Sequence, residues 1–109
     1  MSRTPFLRVG LPMDHQIAYA VLDDRLKALR QCTFQELVAL IGHPDTNSAV
    51  GEDGKTYQLE TQVFWDRKKG GDIHVIVAVD DGGWSAFKPL SGGFMMTPDG
   101  TFVGEANLL

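Results

Sequence analysis

Ile73-His-Val-Ile-Val-Ala-Val79 is an unbroken alternation of β-branched residues bounded on both sides by Asp and Gly. Its period of two is that of a pleated strand, and its apolar density is that of a strand inside a sheet. Asp80-Asp-Gly-Gly83 follows, and then a second strand-like run, Trp84-Ser-Ala-Phe-Lys-Pro-Leu90. Asp-Gly and Gly-Gly are the residues that two-residue hairpin turns require. The pattern therefore predicts a β-hairpin of 73–79 with 84–90, closed at Asp81-Gly82 or Gly82-Gly83, with the rest of the chain covering or extending it.

Ahead of the hairpin the period changes to that of a helix. Ala18, Leu22, Leu26 and Leu29, with Val21 beside them, draw one apolar stripe over residues 14–31. Asp14 stands at the N-cap position, and Asp23 with Lys27 forms an i,i+4 pair on the polar side. A second helix is expected over 34–41. Thr33-Phe-Gln-Glu36 matches the capping box, and Cys32 and Leu37 fall at the hydrophobic-staple positions. Phe34, Leu37, Val38 and Ile41 supply its buried side, and Gly42 before Pro44 supplies its end.

Residues 43–55 are polar and read as a loop. Strands are expected at 56–65, 73–79 and 84–90, with a terminal hairpin of 94–97 and 101–104 around Pro98-Asp99-Gly100. Helices first and antiparallel strands afterwards define an α+β domain. The expectation is two N-terminal helices packed on one face of a four- to five-stranded antiparallel meander sheet. At 109 residues this is one domain. It divides into an arm (1–13), a helical part (14–42), a loop (43–55) and the sheet (56–105).

Register arithmetic assigns the two faces of that sheet. Pairing Asp66 with Asp72 puts Tyr57, Leu59, Thr61, Val63 and Trp65 beside Ile73, Val75, Val77 and Val79, and this face becomes the core. Trp84, Ala86 and Leu90 join it through the two-residue turn, and Lys88 shares their side, snorkelling from the sheet edge. The other face carries Gln58, Glu60, Gln62 and Phe64, then His74, Ile76 and Ala78, then Ser85 and Phe87. Phe64, Ile76 and Phe87 form an apolar centre inside a polar rim. With both helices committed to the opposite side, this patch is left exposed unless the chain's own termini fold over it.

No stretch carries a recognisable catalytic signature. His15, His43 and His74 stand at no metal-ligand spacing from one another or from Cys32, and no cofactor or metal site is expected. Cys32 is explained by its place in the helix start, and the paired Asp residues near strand ends by turn chemistry. Gly70-Gly71, Gly82-Gly83 and Gly92-Gly93 read as turns and bulges, since none precedes a helix. Fourteen acids against ten bases give a net charge of −4, which disfavours nucleic acid, and Arg67-Lys-Lys69 alone is too short a basic cluster to offset it. No run is long and apolar enough to span a membrane, and no signal-peptide core follows the first residues. With a single cysteine, a cytoplasmic protein without disulfides is expected.

These observations favour a binding or accessory protein over an enzyme. The expected patch comprises Phe64, His74, Ile76, Phe87 and Gln62, and its occupant is a second copy, giving a homodimer, or another protein. The alternative is a small-molecule site or small enzyme with a pocket between the 43–55 loop and the sheet, in which His43, Glu60 and Lys88 supply the polar groups.

Overall fold

The computed structural model describes residues 15–80 and 90–104. Among the described residues two helices, α1 (His15–Arg30) and α2 (Phe34–Val38), precede four strands: β1 (Asp45–Val50), β2 (Thr56–Trp65), β3 (Ile73–Asp80) and β4 (Leu90–Met96). The strands form one antiparallel sheet in the order β1-β2-β3-β4, and the helices pack on one of its faces. This is the α+β meander that the patterning of the chain predicts.

The apolar stripe of α1 is buried as its spacing requires. Ala18, Val21, Leu22, Leu26 and Leu29 all lie in the core, while Asp23 and Lys27 pair at 3.2 Å on the solvent side. At α2 the capping box forms in full. The Glu36 N–H donates to Thr33 Oγ1 at 3.0 Å, and the Thr33 N–H donates to Glu36 Oε1 at 2.8 Å. The helix is shorter than the expected 34–41. After Val38 the chain tightens into i→i−3 bonds, Leu40 N–H to Leu37 O and Ile41 N–H to Val38 O. Gly42 then turns it at φ +82°, a conformation open to glycine without a Cβ penalty. Ile41 leaves the helix because it is recruited to a parallel bridge with Val63.

Strands β2 and β3 hold the expected register, with Trp65 opposite Ile73 and Val63 opposite Val75. Tyr57, Leu59, Thr61 and Val63 are buried, as are Ile73, Val75, Val77 and Val79. Each large apolar side chain so buried contributes about 1.5 to 3 kcal/mol. α1 lies over β3 and β4, and α2 over β2.

Two expectations are overturned. First, the span expected as a loop, 43–55, contains β1, paired with β2 from Asp45↔Thr61 to Val50↔Thr56. Only the remainder is a turn, with the Gly51 N–H donating to Lys55 O at 2.9 Å. Asp45-Thr-Asn-Ser-Ala-Val50 has little strand propensity of its own. It is ordered because β2 presents a row of backbone groups needing partners, so context overrides propensity.

Second, the partner of β3 is β4, with Val79 opposite Leu90 and Ile73 opposite Met96. A hairpin of 73–79 with 84–90 through a two-residue turn is incompatible with that register. Residues 81–89 stand between the strands, and Trp84, Ser85, Ala86, Phe87 and Lys88 lie outside the described residues. The exchange places Phe94 and Met96 in the core, at 4% and 2% exposure. Gly92 and Gly93, expected in a turn, are instead mid-strand. At Gly92 the missing side chain lets the helix settle close, since a Cβ there would lie 3.3 Å from Leu26 Cδ1 and 3.4 Å from Leu22 Cδ2.

The terminal turn around Pro98-Asp99-Gly100 forms as expected. The Thr97 N–H donates to Thr101 O at 2.8 Å, and Phe102 bridges back to Met96. Phe102 meets the Phe94 ring edge-on at 5.5 Å, and the Arg30 guanidinium sits 5.1 Å above Phe94.

Candidate interaction face

The even-numbered residues of β2 and β3 point away from both helices. Antiparallel pairing puts Phe64 beside His74, Gln62 beside Ile76, Glu60 beside Ala78 and Gln58 beside Asp80. β4 extends the row, with Met95 beside His74, Gly93 beside Ile76 and Ser91 beside Ala78. β1 extends it on the other side with Thr46 and Ser48.

Phe64 is 39% exposed, a large apolar ring at the surface. His74 meets it edge-on at a centroid distance of 5.4 Å, which fixes the ring against the sheet. Ile76 and Met95 are half-buried. Between them Gly93 has no side chain, so the flank of Ile76 toward β4 is uncovered by its cross-strand neighbour. A Cβ at Gly93 would overlap the Val75 carbonyl oxygen, and this absence of a side chain is therefore imposed by the backbone. The rim is polar and acidic. Gln62 Nε2 donates to Glu60 Oε2 at 3.5 Å, and Glu60 and Asp80 supply carboxylates. Among the described strand residues of this face there is no Lys or Arg.

Of the expected patch, Phe64, His74, Ile76 and Gln62 come together on this face, and Phe87 lies outside the described residues. Met95 was missed. Its signal was present in the alternation Leu90, Gly92, Phe94, Met96, which becomes visible once Gly92-Gly93 is not read as a break. Of the alternative polar set, His43 and Glu60 are described and stand on different elements. His43 is exposed in the turn before β1, its N–H donating to Leu40 O at 2.9 Å, while Glu60 stands mid-strand on the outer face. Lys88 lies outside the described residues. The loop that was to wall the pocket is in part strand β1. Among the described residues no group of three or more His, Cys, Asp or Glu is placed to hold a metal ion, and no helix is long and apolar enough to cross a membrane.

Among the described residues, the carboxyls with shifted pKa values lie in turns. Desolvation pulls the Asp53 carboxyl up, but the Lys55 backbone N–H at 3.1 Å and the Tyr57 hydroxyl at 2.9 Å outweigh it and hold it below the usual range. Asp99 is held low by the Thr97 hydroxyl first and then by Thr101. Both carboxylates accept hydrogen bonds within their turns. The Cys32 thiol lies 3.8 Å from Ala28 O and packs against the core at the start of α2.

Comparison with protein-family models, with curated proteins and with solved structures finds no match to this chain.

Proposed function

We propose that this protein works by binding another protein chain through the outer face of its sheet. Phe64, Ile76 and Met95 form the apolar contact, and Gln62, His74 and Glu60 the polar rim. The observation that carries this reading is Phe64, an aromatic ring held in place by His74 on the side of the sheet that neither helix covers. An aromatic anchor with restricted freedom loses little entropy when a partner closes over it, which is why such residues dominate interface energetics.

The test is a comparison of wild type with Phe64→Glu in tagged form. Circular dichroism and thermal melting should be unchanged, because Phe64 contributes little to the core. A partner copurified and identified with wild type should be lost with the variant. A binding partner held equally by both proteins would sink the proposal.

A further inference from the structure

The two edges of the sheet differ in a way that points to a second occupied surface. Backbone hydrogen bonds show which residues of β1 are turned outward. The Gly51 N–H donates to Lys55 O, and the Asp66 N–H donates to Asp72 O. In an antiparallel ladder, hydrogen-bonded and non-bonded pairs alternate. Asp45, Asn47 and Ala49 therefore direct their N–H and C=O groups toward β2, and Thr46, Ser48 and Val50 direct theirs away from it. Among the described residues no strand takes these outward groups. The opposite edge is partly covered, for the Val103 N–H donates to Met95 O at 3.0 Å.

Natural edge strands are protected by Lys, Pro, bulges or short length. β1 has none of the first three. Its register with β2 runs without a break over six residues, and its side chains are short, uncharged after Asp45, and mostly exposed, Val50 at 69%. Pro44, which has no N–H, stands at the next outward-facing position and ends the run of donors there. α1 packs chiefly over β3 and β4 and reaches β1 through Arg25 on Asp45, a residue whose backbone groups face β2 and not the open edge.

We propose that β1 pairs with β1 of a second copy of this chain, antiparallel, around a two-fold axis at Ser48. That register goes beyond the face reading above, because it rests on backbone groups and not on Phe64. It sets Thr46 opposite Val50 of the second copy, and Ser48 opposite its own equivalent. All three outward residues of each strand then meet outward residues of the other, closing about six N–H···O bonds. A register centred on Asn47 pairs only Thr46 with Ser48 inside β1, closing about four such bonds, and sets Val50 against Pro44, which has no N–H to give. Side chains agree with the Ser48 axis. Val50 gains a Thr46 neighbour on the outer face, a β-branched pair that favours sheet pairing, and Asp45 is never opposite Asp45. The result is one continuous sheet with the two outer faces side by side, a C2 assembly with an isologous interface.

Ser48→Pro tests this directly. It removes an N–H that points away from β2, so the intramolecular ladder keeps its bonds. Light scattering across a concentration series should show wild type rising to twice the monomer mass, while Ser48→Pro stays at half that value with an unchanged circular dichroism spectrum. Phe64→Glu should still dimerise, which separates this proposal from the face reading. Hydrogen exchange on wild type decides the matter if Ser48→Pro misfolds. The Thr46, Ser48 and Val50 amides should gain protection as concentration rises. A wild type that stays monomeric, a folded Ser48→Pro that still dimerises, or amides already protected in the monomer would each overturn the proposal.

Discussion

Arg25 of α1 donates from Nη2 to Asp45 Oδ2 of β1 at 2.9 Å, and from Nε to the Thr61 hydroxyl at 3.4 Å. One side chain thus ties the long helix to an edge strand whose own sequence has little strand preference. Thr61 is fully buried and lies directly opposite Asp45, so the guanidinium spans a cross-strand pair. The Arg25 and Asp45 side chains are 25% and 46% exposed, so water screens their attraction, and the arrangement matters more for the buried hydroxyl than for the charge.

Arg25→Ala is expected to destabilise the fold by about 1 to 3 kcal/mol, because the buried Thr61 oxygen loses this donor. Thr61→Val should cost less than about 1 kcal/mol, since it replaces the hydroxyl with a methyl of similar shape and leaves Arg25 on Asp45. Urea midpoints of the two variants check this. An Asp45→Ala variant removes the ion pair and leaves the Arg25–Thr61 hydrogen bond, and a loss from it as large as that from Arg25→Ala would show that the salt bridge, not the buried hydroxyl, dominates.

The adjacent glycines of β4 should respond differently to the same substitution. Gly93→Ala puts a methyl into the Val75 carbonyl oxygen, and backbone must move, for a cost of about 1 to 3 kcal/mol. Gly92→Ala meets only the ends of the Leu22 and Leu26 side chains at 3.3 to 3.4 Å, which are able to turn aside, and its effect should stay within about 1 kcal/mol. Thermal melting of the pair would refute this account if Gly92→Ala proved the more damaging.

Asp53 makes a pH prediction with a definite sign. Its folded pKa lies below the ordinary value, so its contribution to stability is present above the unfolded-state pKa of about 4. That contribution is lost as pH falls through the folded pKa. Tyr57→Phe removes one of the hydrogen bonds that lower it and should move the Asp53 titration upward, toward the ordinary range. Carboxyl-carbon NMR titration reads the shift, and an unmoved midpoint would refute the role given to the Tyr57 hydroxyl.

Much of the fold is legible in the sequence. The stripe from Ala18 to Leu29, the capping box at Thr33 and Glu36, and the alternation through β2 and β3 are local patterns with one low-energy solution each. Because side chains alternate strictly along a strand, the pairing of Trp65 with Ile73 settled which residues face the core and which form the outer face. Phe64, Gln62, His74 and Ile76 were placed together on that ground. The identity of the next strand was not legible. Asp81-Gly-Gly83 has good turn chemistry, and Gly92-Gly93 resembles a break, so local signals favoured 84–90 over 90–96.

Local patterning suffices for the class of fold, both described helices, the two central strands and their buried side, because periodicity and capping act over a few residues. The neighbours of those strands are set by long-range packing. β1 exists because the open edge of β2 needed hydrogen-bond partners, and Arg25 and Thr61 hold it in place. β4 lies against β3 because Phe94 and Met96 fill the core while Gly92 lets Leu22 and Leu26 approach. Both choices turn on contacts between residues far apart in the chain. Their free energy comes from burial and backbone pairing shared by several elements, and no single stretch of sequence carries it.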